Sequence, residues 1–258
     1  MICELAIDTA GASCSAALSI GAPETRKIFT RFADIRRGHA EHIISQVDEL
    51  LAEAAIGYDS LNRISCTMGP GSFTGVRVGI AFAKGMALAC DVPLYGAVCS
   101  VVAAQKFLRQ GPEVEFEPLN FNSSGSFNLC HVLDAGRDEF YVHVFHKTVE
   151  AREDSGALKN VSDPLLIAHS DVFSFVEQYD ISLCFGPGAF EFCELKQQGN
   201  SDTSLSCEAV RSIDLDIRAE DLLELEDHYL KKNDEVSPLY LRAPDAKPQL
   251  GKTLVRRL

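Results

Sequence analysis

The chain has 258 residues, 46% of them hydrophobic and 24% charged, the composition of a globular protein with a packed core in one large domain or two small ones. Asp plus Glu outnumber Lys plus Arg by 37 to 24, a net charge of −13, which makes the chain a poor grip on nucleic-acid phosphates and disfavours anionic membrane surfaces. Its nine cysteines form no CxxC pair, so disulfides and structural zinc are not expected.

No basic segment followed by an apolar run opens the sequence, so no signal peptide is read. The longest apolar stretch, GIAFAKGMALAC, is broken by Lys84 and is too short to span a bilayer. A reduced, cytoplasmic protein is the expectation.

In chain order, Ile2 to Ile7 is a short apolar run, DTAGAS a turn, and Cys14 to Ile20 an alternation of small and apolar residues. Lys27 to Phe32 follows a Gly-Ala-Pro turn, and the three runs predict an antiparallel meander. Ile43, Val47, Leu50 and Ala54 recur at helical spacing, with Gly57 placed as a C-cap. Ile64 to Met68 predicts a fourth strand, and GPGSFTG leads into a helix over about 76–89 with Ser72 or Thr74 as N-cap. A strand from Val92 to Tyr95 and a helix capped by Ser100 and running to about Leu108 complete a first lobe, 1–108, built as a mixed sheet with packed helices.

Residues 109–128 are rich in Gly, Pro, Ser and Asn without a steady period and predict a loop and domain boundary. The second lobe, 129–258, opens like the first. A strand from Leu129 to Leu133 enters the turn Asp134-Ala135-Gly136, and an alternating strand runs from Glu139 to Phe145. A helix near 171–178, a strand from Ile181 to Phe185, a GPG turn and a helix from Ala189 follow. A last helix over about 219–230 and a strand-like PLYLR end the reading, with the tail packing back on the first lobe. The order strand, Asp, turn, strand thus occurs twice, at Asp8 and at Asp134.

Few residues suggest chemistry. GPGSFTG sets Gly69, Gly71 and Gly75 between strand and helix, where backbone amides can hold an anion, yet it lacks the Lys-Ser/Thr of a phosphate loop. A tight turn explains it equally well. Gly75, Gly79, Ala83 and Ala87 give one helix face that is nearly bare backbone, suited to close packing either inside this chain or against a partner. His39 and His42 in HAEH share a helix side without a third metal ligand nearby, and neither HExxH nor a GxSxG elbow occurs. Asp8 with Thr9, Asp134, and the turn Gly186 to Gly188 would face a Mg-nucleotide in a two-lobed fold, or are ordinary turns.

The runs LAIDTAGASCSAALS, HAEHIISQVDELLAEA, GPGSFTGVRVGIAFAKGMALA and PLYLRAPDAKP, with LDAGRDEFY between them, resemble the TsaB (YeaZ) family. The resemblance implies an α/β, two-lobed fold of the actin, hexokinase and Hsp70 (ASKHA) type. It further implies a part in making threonylcarbamoyladenosine beside the anticodon of ANN-reading tRNAs. In that family a TsaD-like partner carries the metal and transfers the threonylcarbamoyl group, and a TsaE-like ATPase joins the complex. The family resembled is the non-catalytic partner that meets tRNA only indirectly; HAEH does not restore TsaD's metal-binding HxxxH pair. No cofactor is required by this chain, with ATP or ADP held weakly or at the partner interface.

The family's association mode is a four-helix bundle from the first two helices of each partner, here about 38–55 and 75–89. It nominates His39, His42, Gln46, Val76, Gly79, Ile80 and Ala83 as interface residues, and leaves open a homodimer of the isolated chain through the same helices. An ATP-binding or ATPase protein of the actin-like fold is the alternative.

Overall fold

In the computed structural model, residues 2–22, 24–35, 38–110, 126–148, 158–199, 208–209 and 216–242 are described. Runs of small and apolar residues make β1 (Cys3–Asp8) and β2 (Ser13–Ile20), antiparallel partners around the DTAG turn, and β3 (Lys27–Asp34) completes the meander. On its other side β1 takes β4 (Arg63–Thr67) as a parallel neighbour, and β5 (Leu94–Ala97) follows parallel to β4. Parallel strands need crossovers, which α1 (His39–Ala54) and α2 (Phe73–Cys90) supply. Helix α3 (Cys99–Gln110) leaves this sheet for the second lobe.

The second lobe repeats the plan. Strands β6 (Ser126–Asp134) and β7 (Glu139–Thr148) form the opening hairpin, with β8 (Lys159–Asn160) and β9 (Leu165–Ala168) pairing on β7. After α4 (Val172–Tyr179), β10 (Ile181–Phe185) joins β6 in parallel. After α5 (Ala189–Gly199), β11 (Glu208–Ala209) joins β10, also in parallel. Each lobe is therefore a mixed sheet whose first strand sits between an antiparallel and a parallel neighbour.

Strand alternation sends alternate residues to opposite faces of each sheet. In the first, Leu5 and Ile7 pack under α1 and α2, against Ile43, Val47, Val76 and Ile80. Ala6, Ala17 and Ala97 turn to the other face, where Val102 of α3 and the short α6 (Ala219–Leu222) cover them. The second sheet packs Val132, Phe140 and Val142 against Phe175 of α4 and Phe192 of α5. Its opposite face, with Phe127, Phe145 and Phe185, receives Phe107 of α3. One helix thus contributes to the cores of both lobes.

The tail returns to the first lobe. The Ala219 amide donates to Ser15 Oγ at 2.9 Å, Val236 is fully buried, and β12 (Lys231–Lys232) pairs antiparallel on the edge of β5. Several local expectations need correction. The expected helix over 219–230 stops after one turn at Leu222, although Asp221 caps its start by accepting from the Arg218 amide at 2.8 Å and pairs with Lys106 at 3.2 Å. PLYLR pairs in no sheet and runs extended across the molecule. The left-handed cap of α1 is Ala55 at φ 54°, not Gly57. Ser100 lies inside α3, where its hydroxyl meets His143 instead of capping. The second lobe's first strand starts at Ser126, three residues before the expected Leu129, while 111–125 of the expected loop lie outside the described residues.

Candidate functional site

The β1–β2 turn meets the start of α2 at the mouth of a cleft between the lobes. Asp8 ends β1 and is 1% exposed. Its Oδ1 accepts from the Thr67 hydroxyl at 2.6 Å and from the Ala10 amide at 3.1 Å, an Asx turn that closes the hairpin. Its Oδ2 is buried without a partner. Burial pushes the carboxyl up to about 6, although the Thr67 and Ala10 hydrogen bonds oppose the shift.

Thr9 is equally committed to its own lobe. Its hydroxyl donates to the Gly75 carbonyl at 2.7 Å. A Cβ at Gly75 would overlap the Thr9 carbonyl oxygen, and one at Gly79 would overlap Thr9 Oγ1. The bare face of α2 therefore exists to let the helix backbone approach β1. The GPGSFTG amides are also in use: Ser72 donates to the Ala10 carbonyl at 2.7 Å, Gly75 to Ser72 Oγ at 3.2 Å and Val76 to the Ser72 carbonyl at 2.9 Å. The segment is a packed strand-to-helix turn capped by Ser72.

In the second lobe Asp134 ends β6 and accepts from the Gly136 amide at 2.6 Å, the same Asx turn, but its side chain is exposed. Gly186 and Gly188 pack on β6, and the Gly188 amide donates to the Val132 carbonyl at 3.0 Å. A cavity of about 200 Å³ opens between the lobes, with Asp8, Pro70 and Cys99 on one side and His131, Leu133 and Pro187 on the other. Of the expected residues only Asp8 lines the cavity, where it meets Pro187 of the second lobe's GPG turn; Thr9, Asp134, Gly186 and Gly188 are not among the lining residues. Burial lowers His131 to about 3, with His143 adding to the effect, and raises the Cys99 thiol well above its ordinary range. The cavity walls offer neither a general base nor a thiolate from these two at neutral pH.

The interface candidates fare unevenly. His39, Gln46, Val76, Gly79, Ile80 and Ala83 are buried within this chain, and His42 alone is exposed. Gln46, for example, donates to the Cys14 carbonyl at 3.1 Å. The reason is that both faces of α2 are apolar, and the small-residue face is the one β1 accepts. Left outside are Ala81, Lys84, Gly85, Leu88 and Ala89.

Three features escaped the sequence reading. Ser100 Oγ lies 2.7 Å from His143 Nδ1, joining α3 to the second sheet, and His131 pairs opposite His143 across β6 and β7. The hairpin register, counted out from the Asp134 turn, could have found that histidine pair. Lastly, the PLYLR segment ties the two lobes together. Arg77 Nε donates to the Tyr240 hydroxyl at 2.6 Å with its guanidinium 3.4 Å from the Phe73 ring centre, and Arg242 pairs with Glu139 and the Gly136 carbonyl of the second lobe.

A family model described as "TsaD: tRNA N6-adenosine threonylcarbamoyltransferase" matches residues 33–210, well over half of the chain. Curated relatives share the name "tRNA threonylcarbamoyladenosine biosynthesis protein TsaB". The Escherichia coli protein is 36% identical over 137 residues, covering 53% of this chain and 52% of its own length. The Haemophilus influenzae protein is 38% identical over 90 residues, 35% of this chain and 36% of that one. The solved structure of YeaZ from Pseudomonas aeruginosa superposes with a TM-score of 0.65 over 93% of this chain and 100% of that one, at 23% identity. The chain belongs to the TsaB (YeaZ) family, within the wider TsaD group. It spans about half the length, or less, of these curated TsaB relatives. The YeaZ likeness carries the fold: two lobes, each a mixed sheet with packed helices.

Proposed function

We propose that this chain is the non-catalytic subunit of a cytoplasmic assembly that makes threonylcarbamoyladenosine in tRNA. In this reading it docks on a TsaD-like transferase, and a TsaE-like ATPase joins them. The observation that carries the docking is the uneven covering of α2. At 18 residues that helix is longer than the stretch taken from the sequence as too short to span a bilayer, and it is apolar enough to cross a membrane by length and composition alone. Its Gly75, Gly79 and Ala83 side is buried on its own lobe, while Leu88 on the outside is 86% exposed. The outer face carries Ala81, Gly85, Leu88 and Ala89 around Lys84, and that much uncovered apolar surface on a helix otherwise packed in the core calls for a second surface. Ile44 on α1, 50% exposed, adds to it.

The net charge of −13 supports the division of labour, since the phosphate contacts would fall to other subunits. The chain itself needs no cofactor, and ATP or ADP would sit at the junction with the partner. Among the described residues no three His, Cys, Asp or Glu side chains gather as a metal site.

The test is light scattering on a sizing column with the TsaD-like protein of the same organism. The wild-type chain is expected to elute at the combined mass, and Leu88→Glu at its own. Because Leu88 makes no core contact, that variant keeps its melting temperature. Undiminished association by Leu88→Glu would remove the α2 assignment.

A further inference from the structure

The interlobe cavity has a consistent electrostatic sign. Among the described residues three carboxylates line it, Asp8, Asp34 and Asp216, and no Lys or Arg does. His131 adds no positive charge, being held neutral by burial. Arg218, next to Ile217, lies over the Phe32 ring with its guanidinium carbon 4.6 Å from the centre, outside the cavity wall. The remaining walls are largely apolar, with Phe32, Pro70, Leu133, Pro187 and Ile217. Such a site repels a polyphosphate, whose charges would face carboxylates in a partly desolvated cleft.

Asp8 supplies the second observation. It is 1% exposed, it lines the cavity, and its Oδ2 has no donor. A buried acceptor without a donor carries a desolvation penalty that a ligand can remove. The complement of this arrangement is a charged N–H donor on an apolar stem. A bare divalent ion fits less well, because the described residues bring no three metal-ligating side chains together. The volume of about 200 Å³ matches roughly seven waters at about 30 Å³ each, enough for an amine of about four or five carbons.

We infer that the cavity between the lobes is a binding site for a short aliphatic amine, with Asp8 receiving the ammonium, Asp34 and Asp216 adding negative potential at the exposed rim, and Phe32 and Ile217 flanking the stem. The site is separate from the docking face of α2 and does not depend on it.

Calorimetric titration of the full chain tests this with 1,4-diaminobutane and butylamine, and with magnesium chloride and Mg-ATP as competing chemistries. Saturable, one-to-one binding of the amines is expected. Asp8→Asn should weaken it about tenfold and Asp34→Asn about threefold. Asp59→Asn, an exposed carboxylate outside the cavity that removes the same charge, should leave it unchanged. Asparagine at position 8 keeps an acceptor for Thr67 and Ala10, and the exposed Asp34 serves alone if Asp8→Asn fails to fold. Absence of saturable amine binding, or equal weakening by Asp59→Asn, would overturn the inference by reducing it to a counterion effect. Mg-ATP binding tighter than the amines and lost in Asp34→Asn would overturn it in favour of a nucleotide.

Discussion

The two aspartate turns share one backbone design and end in different places. Asp8 and Asp134 each close a β-hairpin with an Asx hydrogen bond, and each hairpin faces a Gly-Pro-Gly turn at the end of the next parallel strand. What differs is the neighbour. Beside Asp8, β4 ends in Thr67, whose hydroxyl holds the carboxylate in the core. In the second lobe β10 ends at Phe185, which stands opposite His131, three residues short of Asp134, and packs on Phe107 of α3 at 4.8 Å between ring centres. The first parallel neighbour runs level with its acid and the second stops short of it, and the first acid is buried while the second is left at the surface.

The comparison breaks most visibly at the glycines. A Cβ at Gly75 meets the backbone carbonyl of Thr9, which cannot move away, whereas one at Gly188 meets Val132 Cγ1 at 3.0 Å and the Asp134 amide at 3.1 Å. Gly75→Ala should cost about 3 kcal/mol or more and Gly188→Ala about 1–2 kcal/mol, measured by urea unfolding. Equal costs would mean that the first turn is no tighter than the second.

The lobes also oppose each other in pH dependence. Asp8 rises from 3.8 to about 6, so the folded chain keeps a proton that the unfolded chain has released. Its stabilising contribution is present below about pH 4 and is lost as pH rises to about 6, by about 3 kcal/mol in all. His131 and His143 fall from 6.5 to about 3 and about 4, chiefly through burial. Their contribution is present above pH 6.5 and is lost as pH falls through 4. Relative to wild type, Asp8→Asn should gain stability steadily from pH 4 to 6, and His143→Asn should gain it from pH 6.5 down to 4. Parallel pH curves for variant and wild type would show that the group titrates alike in both states.

The smallest effect belongs to Asp134. Asp134→Ala removes one exposed turn hydrogen bond and should cost about 0.5–1 kcal/mol, with no change in binding at the interlobe cavity. A loss of amine affinity in that variant would bring the second turn back into the site.

Much of this was legible in the sequence, and the failures have physical causes. Alternation from Cys14 to Ile20 and helical spacing from Ile43 to Ala54 report burial directly, so the meander and α1 emerged where expected. The two-lobed reading sets Asp8, Asp134 and the Gly186 to Gly188 turn at one cleft, and of these turns Asp8 and Pro187 line the cavity while Asp134 does not. The choice of face on α2 could not be read, since Gly79 and Leu88 sit on sides of comparable apolarity and only the Thr9 contact tells them apart. Asp34 and Asp216 come from β3 and the tail, so their meeting with Asp8 depends on the return of the chain. Tyr240 and Arg242 alternate like strand residues yet act as two anchors, one on each lobe.

That return has a consequence for how the protein comes off the ribosome. Lys231 and Lys232 seal the β5 edge, while Leu222, Leu223 and Leu225 roof Ala6, Ala17 and Ala97. The first half to be translated therefore remains only partly roofed, by Val102 of α3, with an open sheet edge, until the second half has emerged. Such long-range closure slows folding and leaves the nascent first lobe dependent on shelter.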